Sequence, residues 1–484
     1  MKMKLLLVLT VFISAISFAQ VGIGTTTPNG ALDVSSTTQG FLLPRVALTA
    51  SNVAAPVVNP AGGALANGTM VYNTATAGVF PNNVLPGYYY WSGSQWIRLN
   101  ADASWITHGN SGTNASTNFL GTLDNVDLVF RRNNLLSGRL NSSNTSFGVE
   151  SLSNVATTAQ RTVAIGVNAL KNLTSGNDNI AVGYGSLESN TTGIQNIAIG
   201  TSALTLNSSG SYNTALGYEA LTRNTSGILN TAVGSTSLYN NLMGNNNVGV
   251  GYATLQRNFS GSRNAAVGTN ALFNNQTGNN NVGIGDSALE RNISGSNNVA
   301  VGRNSLFNNQ STSNSTSIGT ESQLNNLSGQ NNTSLGYQTL FSNNAGSSNV
   351  SIGNQSLYSN TSGSRNIAIG ENAGTNVTTG NNNTFLGHNT GTTISTGSNN
   401  TIIGSNVSLP AATSNNIVLA DGSGNRRINV DQNGNVGIGT TTPNGALDVS
   451  STTQGFLLPR VALSALNVAA PVVNPAGGAL ANGT

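Results

Sequence analysis

A tetrapeptide that ends in an apolar residue and glycine recurs every seventeen residues through the middle of the chain. VAIG ends at Gly166, IAVG at Gly183 and IAIG at Gly200, and the last copy ends at Gly404. Fifteen copies keep this step without an insertion or a deletion, and TSFG ends eighteen residues before the first. A unit this short cannot bury an apolar face alone, so it has to stack on its neighbours. The spacing therefore predicts a β-solenoid.

Other positions of the unit recur with the same step. From Gly176 to Gly397 a glycine lies seven residues before each closing glycine, except at Thr312. A leucine lies four residues after each closing glycine, except at Gln323, until Gly374 and Gly391 end the series. From Asn179 to Asn400 asparagine lies four residues before each closing glycine, except at Ser315. We predict that these asparagines stack as a ladder of side-chain amides: Asn179, Asn196, Asn213, Asn230, Asn247, Asn264, Asn281, Asn298, Asn332, Asn349, Asn366, Asn383 and Asn400.

Each unit contains two short segments with strand-like composition. One is Asn-[Thr/Val/Ile]-Ala-[Val/Ile/Leu], and the other is the Ala-Leu pair with its neighbours. We expect Val and Ile to stack as a thin continuous core, although strict alternation also allows the small residues to fill the coil and leaves an apolar stripe outside. Glycines suit the turns between these segments because they accept positive φ: Gly183, Gly200, Gly217, Gly234, Gly251, Gly268, Gly285 and Gly302.

The predicted fold is all-β, a parallel β-roll or β-solenoid of about fifteen 17-residue coils with small β-rich flanking modules. Its length at one strand spacing per coil is about 70 Å. We divide the chain into a signal peptide (1–19), an N-terminal β-rich module (20–100), a transition or cap (101–149), the solenoid (150–404), a C-terminal cap (405–435) and a second copy of the first module (436–484). Within the first module, Tyr88 to Trp96 suggests a strand-turn-strand ending.

The N-terminus and the composition indicate an exported protein. Lys2 and Lys4 precede the apolar run from Leu5 to Ile16, and Ala19 supplies the small residue of a signal-peptidase site. The chain has no cysteine, and only 7% of its residues are charged. Without that leader it carries sixteen basic and fifteen acidic residues, with no large basic cluster. We therefore predict an extracellular or outer cell-surface location, and no binding to nucleic acid.

The first module returns at the other end of the chain. Residues 21–69 and 436–484 differ at two of forty-nine positions. The first copy continues after Thr69 into an aromatic-rich segment, whereas the second copy stops at Thr484. We interpret the sequence as part of a longer chain, with a degenerate but complete end as the alternative.

The repeats and the flanks resemble two kinds of fibrous protein. The N-x-A-[VI]-G units resemble the head repeats of trimeric autotransporter adhesins of the YadA type, and NVGIGTTTP, LVFRRNN and NNIVLADGSGN resemble modules of phage tail fibres and tail-fibre-like bacterial surface proteins. The resemblance implies a left-handed β-roll and a homotrimer. Two features depart from the adhesin pattern. The usual repeat of that family is shorter than seventeen residues, and the sequence shows neither a heptad stalk nor a C-terminal membrane β-barrel. In tail-fibre-like relatives a self-cleaving C-terminal chaperone often follows.

Residues suited to catalysis are scarce. The chain has two histidines, His108 and His388, and His388 occupies a coil position that holds Tyr, Thr, Ser or Asp elsewhere. Gly283-Ile284-Gly285 imitates a dinucleotide motif, but it lies in the repeat and outside any βαβ context. The aspartates needed for a calcium β-roll occur only sporadically. We therefore expect a non-enzymatic protein without cofactor, catalytic or metal sites.

We predict that the chain is a fibrous adhesin or structural protein that presents a solenoid head for attachment. Its expected partners are two further copies of itself and a surface ligand, either protein or carbohydrate. The alternatives are a fragment of a tail-fibre-like protein with a chaperone domain beyond the sequence, and a solenoid that binds ice or crystalline carbohydrate. The last needs a flat threonine column, and the residue after the ladder asparagine varies among Thr, Val, Ile and Ala.

Overall fold

The computed structural model describes residues 20–79, 82–99, 114, 119–154 and 157–457. Within these ranges the regular elements are all strands, which confirms the predicted all-β class, and no described helix could cross a membrane. The predicted signal peptide, most of the segment 100–118 and the end of the second module lie outside the described residues. The chain divides into two compact units, 1–121 and 122–484.

The first unit contains two small sheets. A parallel pair joins β1 and β2, and a second sheet has the order β3-β4-β5-β6. The predicted strand-turn-strand is present, since β5 and β6 pair antiparallel with Trp91 opposite Trp96. These two indoles are buried with Leu48 and Val71. The six strands are Val21–Ile23, Leu32–Val34, Arg45–Val46, Met70–Asn73, Gly87–Trp91 and Trp96–Arg98.

The second unit contains the predicted parallel solenoid. Fifteen strands, β10 to β24, pair in parallel with a register of seventeen residues, as in Val163 opposite Ile180. They are Thr162–Ile165, Ile180–Val182, Ile197–Ile199, Thr214–Leu216, Thr231–Val233, Val248–Val250, Ala265–Val267, Val282–Ile284, Val299–Val301, Thr316–Ile318, Thr333–Leu335, Val350–Ile352, Ile367–Ile369, Thr384–Leu386 and Thr401–Ile403.

Each coil has one strand, not the two that the sequence suggested. The Ala-Leu pair lies in a turn, where the leucines adopt φ between 44° and 54°. Left-handed backbone is uncommon outside glycine and asparagine. In this protein, hydrogen bonds to the next coil hold the leucines in the left-handed conformation. Leu187 N, for example, donates to Ala203 O at 3.0 Å. The chain therefore bends at the leucine and still continues the ladder between coils.

The expected core of stacked Val and Ile is wrong. The small residue at the centre of each strand points inward, as Ala181 and Ala198 do with no exposed surface, and the leucines pack inside with them. The flanking residues, such as Ile197 and Ile199, are 37% and 39% exposed. From β10 to β22 the coil is so narrow that this inward strand position holds only alanine, glycine or serine, and the larger aliphatic residues take the outer face.

Antiparallel hairpins adjoin both ends of the solenoid ladder. Before it, β7, β8 and β9 pair antiparallel, and β9 then pairs in parallel with β10. After it come β25 to β28, where β25 to β27 pair antiparallel and β27 and β28 pair in parallel, as β1 and β2 do. The strands are Leu128–Arg132, Leu135–Leu140 and Asn144–Phe147 before the ladder, and Ile417–Ala420, Arg426–Val430, Val436–Ile438 and Leu447–Val449 after it.

Hydrogen bonds to the carboxylate of Asp421 stabilise the turn between β25 and β26. Asp421 accepts hydrogen bonds from the side chain and backbone of Asn425 and from Arg427. These bonds to the ionised form, that of the Asn425 side chain foremost, hold the pKa of Asp421 well below its usual range.

A polar stretch interrupts the core of the solenoid. One apolar cluster runs from Leu152 to Leu306 and a second from Leu340 to Val418. Between them lie buried hydroxyls and the buried side chain of Gln323, which replaces the inward leucine. Ser322 Oγ shares hydrogen bonds with Ser334 Oγ at 2.6 Å and with Thr339 Oγ1 at 2.7 Å.

Where the leucine series ends, the inward side chain of the strand becomes larger. Phe385 is completely buried at the strand position that alanine holds in most coils. A Cβ placed on Gly374 or Gly391 would lie 2.7 Å or 2.5 Å from its ring. The two glycines therefore leave the space of two leucines, and one aromatic ring fills it.

Candidate functional site

Repeat positions are counted here from the closing glycine of each coil, which is column 0. The predicted ladder asparagines form column −4 and are called the strand ladder. The structure places all thirteen inside the solenoid with at most 1% exposure. Asn179 Oδ1 accepts from the backbone N of Asn196 at 3.0 Å, and Asn196 Nδ2 donates to Gly210 O at 2.9 Å. The ladder is thus formed with backbone groups as well as between amides.

The closing glycines make the close approach between coils possible. The eight predicted turn glycines have φ between 119° and 141°. A Cβ on Gly200 would lie 2.3 Å from the carbonyl oxygen of Gly217, one coil later. Any side chain at this column would therefore collide with the backbone of the next coil.

A second asparagine column lies inside the coil and was missed in the sequence. It occupies column +7, three residues before the interior glycine, and is called the turn ladder. Asn207 Nδ2 donates to Asn190 Oδ1 at 3.0 Å and to Gly210 O at 2.9 Å. The signal in the sequence is an asparagine that recurs every seventeen residues, three residues before the interior glycine. Its members are Asn190, Asn207, Asn224, Asn241, Asn258, Asn275, Asn292, Asn309, Asn326, Asn343 and Asn360.

The outward residues of the strands form an apolar surface, called here the strand face. It consists of columns −3 and −1 from Val163 to Ile403. Fifteen of its large apolar side chains are between 36% and 46% exposed: Ile165, Ile180, Ile197, Ile199, Leu216, Val248, Val250, Val267, Ile284, Ile318, Leu335, Ile367, Ile369, Leu386 and Ile403. In-register pairing places each above its counterpart in the next coil. Column −1 is therefore a continuous apolar stripe, and column −3 beside it is a second, mostly aliphatic stripe that threonines interrupt.

The strand face does not carry an unbroken threonine column. Threonine occupies column −3 in Thr214, Thr231, Thr316, Thr333, Thr384 and Thr401, and aliphatic residues occupy it elsewhere. Column −1 contains only Val, Ile and Leu. The pattern favours an apolar contact over the regular hydroxyl array that an ice-binding surface needs.

Of the residues considered for chemistry, His108 lies outside the described residues, and His388 and the Gly283–Gly285 segment lie in different coils. His388 is exposed, and its Nε2 lies 3.6 Å from Glu371 Oε2 in the preceding coil. Gly283 lies in the middle of strand β17, and Gly285 closes the same coil. Among the described residues, no group of three His, Asp or Glu side chains is placed to hold a metal ion.

Arginine and aromatic side chains alternate along another face of the solenoid. The guanidinium carbon of Arg223 lies 5.6 Å from the ring centre of Tyr239, that of Arg257 5.3 Å from Phe273, and that of Arg291 4.9 Å from Phe307. Arginine occupies column +6 of one coil and the ring column +5 of the next, a period of 34 residues. A period of seventeen residues does not reveal this arginine–aromatic row, because its arginines recur every 34 residues and each contact joins two different columns.

Comparison with known proteins finds a similarity in the flanks. Residues 22–116 and 437–482 match the profile of a family described as a phage tail like trimerisation region. No curated protein and no solved structure matches the chain significantly. The match covers both copies of the repeated module and supports the predicted homotrimer. No match supports the YadA-type resemblance of the repeats. Together with the solenoid, the similarity fits a fibrous, tail-fibre-like trimeric protein.

Proposed function

We propose that the chain is an exported fibrous adhesin or structural protein of the cell surface, which acts as a homotrimer and has no catalytic activity. The observation that carries the proposal is the strand face, whose column −1 is apolar in all fifteen coils and lies beside the mostly aliphatic column −3. Soluble monomers rarely expose large continuous apolar patches. A partner along this whole face gains contact in every coil.

The period of the strand face favours a second copy of the same chain as its partner. The outward side chains recur once per coil, at the spacing of paired β-strands, about 4.8 Å. A surface without that repeat loses register after a few coils. Another solenoid of the same sequence keeps it over the full length, so each coil contributes the same contact.

The flanking modules support three copies in particular. Similarity to a trimerisation region lies both before and after the solenoid in the sequence. Joining chains at these modules raises the effective concentration of the solenoids for one another. Weak contacts in each coil are then sufficient for association along the strand face.

Variation outside the strand face supports an attachment role. Column +1 holds exposed tyrosines in four coils, Tyr184, Tyr218, Tyr252 and Tyr337, and Thr, Ser, Asn, Asp, Glu, Arg or His in most of the others. Exposed aromatic side chains are frequent anchors in recognition surfaces. A constant interior with a varied exterior is the usual arrangement when a repeat protein binds ligands.

A second candidate is a tail-fibre-like protein of which the sequence is one part, followed by a self-cleaving chaperone. The match of residues 437–482 to the trimerisation region favours it, because a second trimerisation module indicates further assembly at that end. Sequencing the gene beyond codon 484 tests this candidate directly.

Light scattering on the purified chain tests the trimer, with a matched pair of variants to locate the interface. Ile284 lies on the strand face and is 42% exposed, whereas Ile293 lies in column +8 and is 40% exposed. Ile284→Lys buries a charge in the proposed interface and is expected to raise the dissociation concentration roughly tenfold or more. Ile293→Lys should leave the mass unchanged. A monomeric wild-type chain at micromolar concentration contradicts the trimer.

The location is tested on intact cells of the source organism. An antibody raised against residues 122–435 is expected to label unpermeabilised cells, and added protease should remove that label. Labelling that requires permeabilisation contradicts a surface location.

A further inference from the structure

We propose that the arginine–aromatic row binds an acidic polysaccharide that lies along the solenoid, with one carboxylate of the polymer at each arginine. The inference rests on the proposed attachment role and names the chemical class of its ligand. The row comprises Arg223, Tyr239, Arg257, Phe273, Arg291 and Phe307, and it shares no residue with the strand face.

The arginines are held in place before a ligand arrives. Each guanidinium lies over an aromatic ring of the next coil. Arg257 Nη1 also donates to Asn274 Oδ1 at 3.3 Å, and Arg291 Nη1 donates to Asn308 Oδ1 at 3.1 Å. A guanidinium has five N–H donors, so a bidentate pair remains for a carboxylate after this bond. Binding then costs little side-chain entropy.

The charge of the row is not neutralised by the protein. No ion pair between described residues includes Arg223, Arg257 or Arg291. In residues 218–319, columns +5 and +6 contain these three cations and one acid, Glu290. An anionic ligand therefore meets a net positive row.

The spacing of the arginines selects among linear anions. Successive arginines are two coils apart, about 9.6 Å at the strand spacing. Phosphates of one nucleic acid strand recur about every 3.4 Å. Acidic side chains on one side of an extended peptide recur about every 6.6 Å. A polysaccharide with a uronic acid at every second sugar has one carboxylate per disaccharide, a length close to two coils, so it can meet every arginine in turn.

A groove beside the row adds donors and acceptors for sugar hydroxyls. It has a volume of about 250 Å³ and is lined by Asn274, Gln276, Arg291, Ile293 and Gln310. Three amides offer both donors and acceptors, and Ile293 with the neighbouring half-buried rings offers apolar surface to the sugar faces. This mixture of polar and apolar groups suits a hydroxyl-rich polysaccharide better than a polymer that offers charged groups alone.

Binding of hyaluronan oligosaccharides to the full chain tests the inference, because hyaluronan carries a carboxylate on every second sugar. Calorimetry is expected to show binding that weakens with salt, and the neutral methyl ester of hyaluronan should not bind. Arg257→Gln/Arg291→Gln should lower the affinity roughly tenfold or more. The matched control is Arg263→Gln/Arg365→Gln, which removes the same charge from exposed column +12 and should bind as the wild type does.

The possible results separate this inference from the proposed function. Equal losses in the two double variants, equal binding of the neutral ester, or no binding by a correctly assembled trimer each overturn the inference. A trimer that fails to bind leaves the proposed assembly intact. A monomeric chain contradicts the assembly whether or not it binds hyaluronan.

Discussion

Asn326 Nδ2 donates a hydrogen bond to Thr312 Oγ1 at 3.3 Å. In the rest of the turn ladder, each asparagine after the first donates to the asparagine one coil earlier, as Asn343 donates to Asn326. Thr312 takes the place of the interior glycine and diverts this amide. Asn309 Oδ1 is consequently buried with no hydrogen-bond partner in the described part of the chain.

Replacing the threonine should repair the ladder. Thr312→Gly lets Asn326 reach Asn309 Oδ1, and satisfying a buried acceptor stabilises by about 1 to 3 kcal/mol. Glycine itself costs up to about 1 kcal/mol of backbone entropy. Ser311→Gly, at the exposed neighbouring residue, is the control for that cost. In urea unfolding, Thr312→Gly should have a higher free energy of unfolding than Ser311→Gly. The reverse order would contradict the role assigned to Thr312.

Asn281→Asp should destabilise the strand ladder. Asn281 Nδ2 donates to Gly295 O at 2.8 Å and to Asn275 Oδ1 at 3.3 Å, and an ionised carboxylate would place an oxygen against both acceptors. We expect a loss of about 3 kcal/mol or more, measured by urea unfolding at neutral pH.

The neighbouring Asn280→Asp is the control, since Asn280 is exposed. Burial raises the pKa of the introduced carboxyl in the folded state, so the loss should shrink as the pH falls through that raised value. Equal stabilities for Asn281→Asp and Asn280→Asp at neutral pH would show that column −4 is not a structural ladder.

Gly200→Ala should disrupt the stack, whereas Gly185→Ala should not. Gly200 has φ +136° and faces the backbone of the next coil. Gly185 has φ +63°, and a Cβ there would meet only Glu188 Oε2 at 3.4 Å. In other coils that position holds residues such as Ala253. We expect a cost of about 3 kcal/mol for Gly200→Ala and within about 1 kcal/mol for Gly185→Ala, by thermal unfolding.

Phe385 and Gly391 should be coupled strongly. Phe385→Ala leaves a cavity and should cost about 4 kcal/mol. Gly391→Leu alone overpacks against the ring and should cost about 2 kcal/mol. Together they restore the alanine and one of the two leucines of the other coils, so the double variant should lose clearly less stability than the sum of the two single losses, with the space beside Gly374 still unfilled. A double-mutant cycle with additive losses would contradict the exchange of volume.

The period, the strand ladder and the closing glycines could be predicted because a fixed column of one residue type has few structural explanations. Which face of each strand points into the coil could not be predicted. Alternation shows that Ile197 and Ile199 share a face opposite to Ala198, but the width of the coil decides which face is inside. The arginine–aromatic row needed the structure because its contacts join Arg257 to Phe273, in different coils and different columns.

The polar stretch around Gln323 has a mechanical consequence. Coils contact only their neighbours, so the resistance of a solenoid to pulling or heating depends on its weakest junction. The apolar clusters end at Leu306 and resume at Leu340, and the junction between them relies on hydroxyl contacts and on a glutamine whose Oε1 has no partner among described residues. A solenoid stretched along its axis is therefore expected to part there first, into two blocks that each remain folded and can rejoin when the load is released.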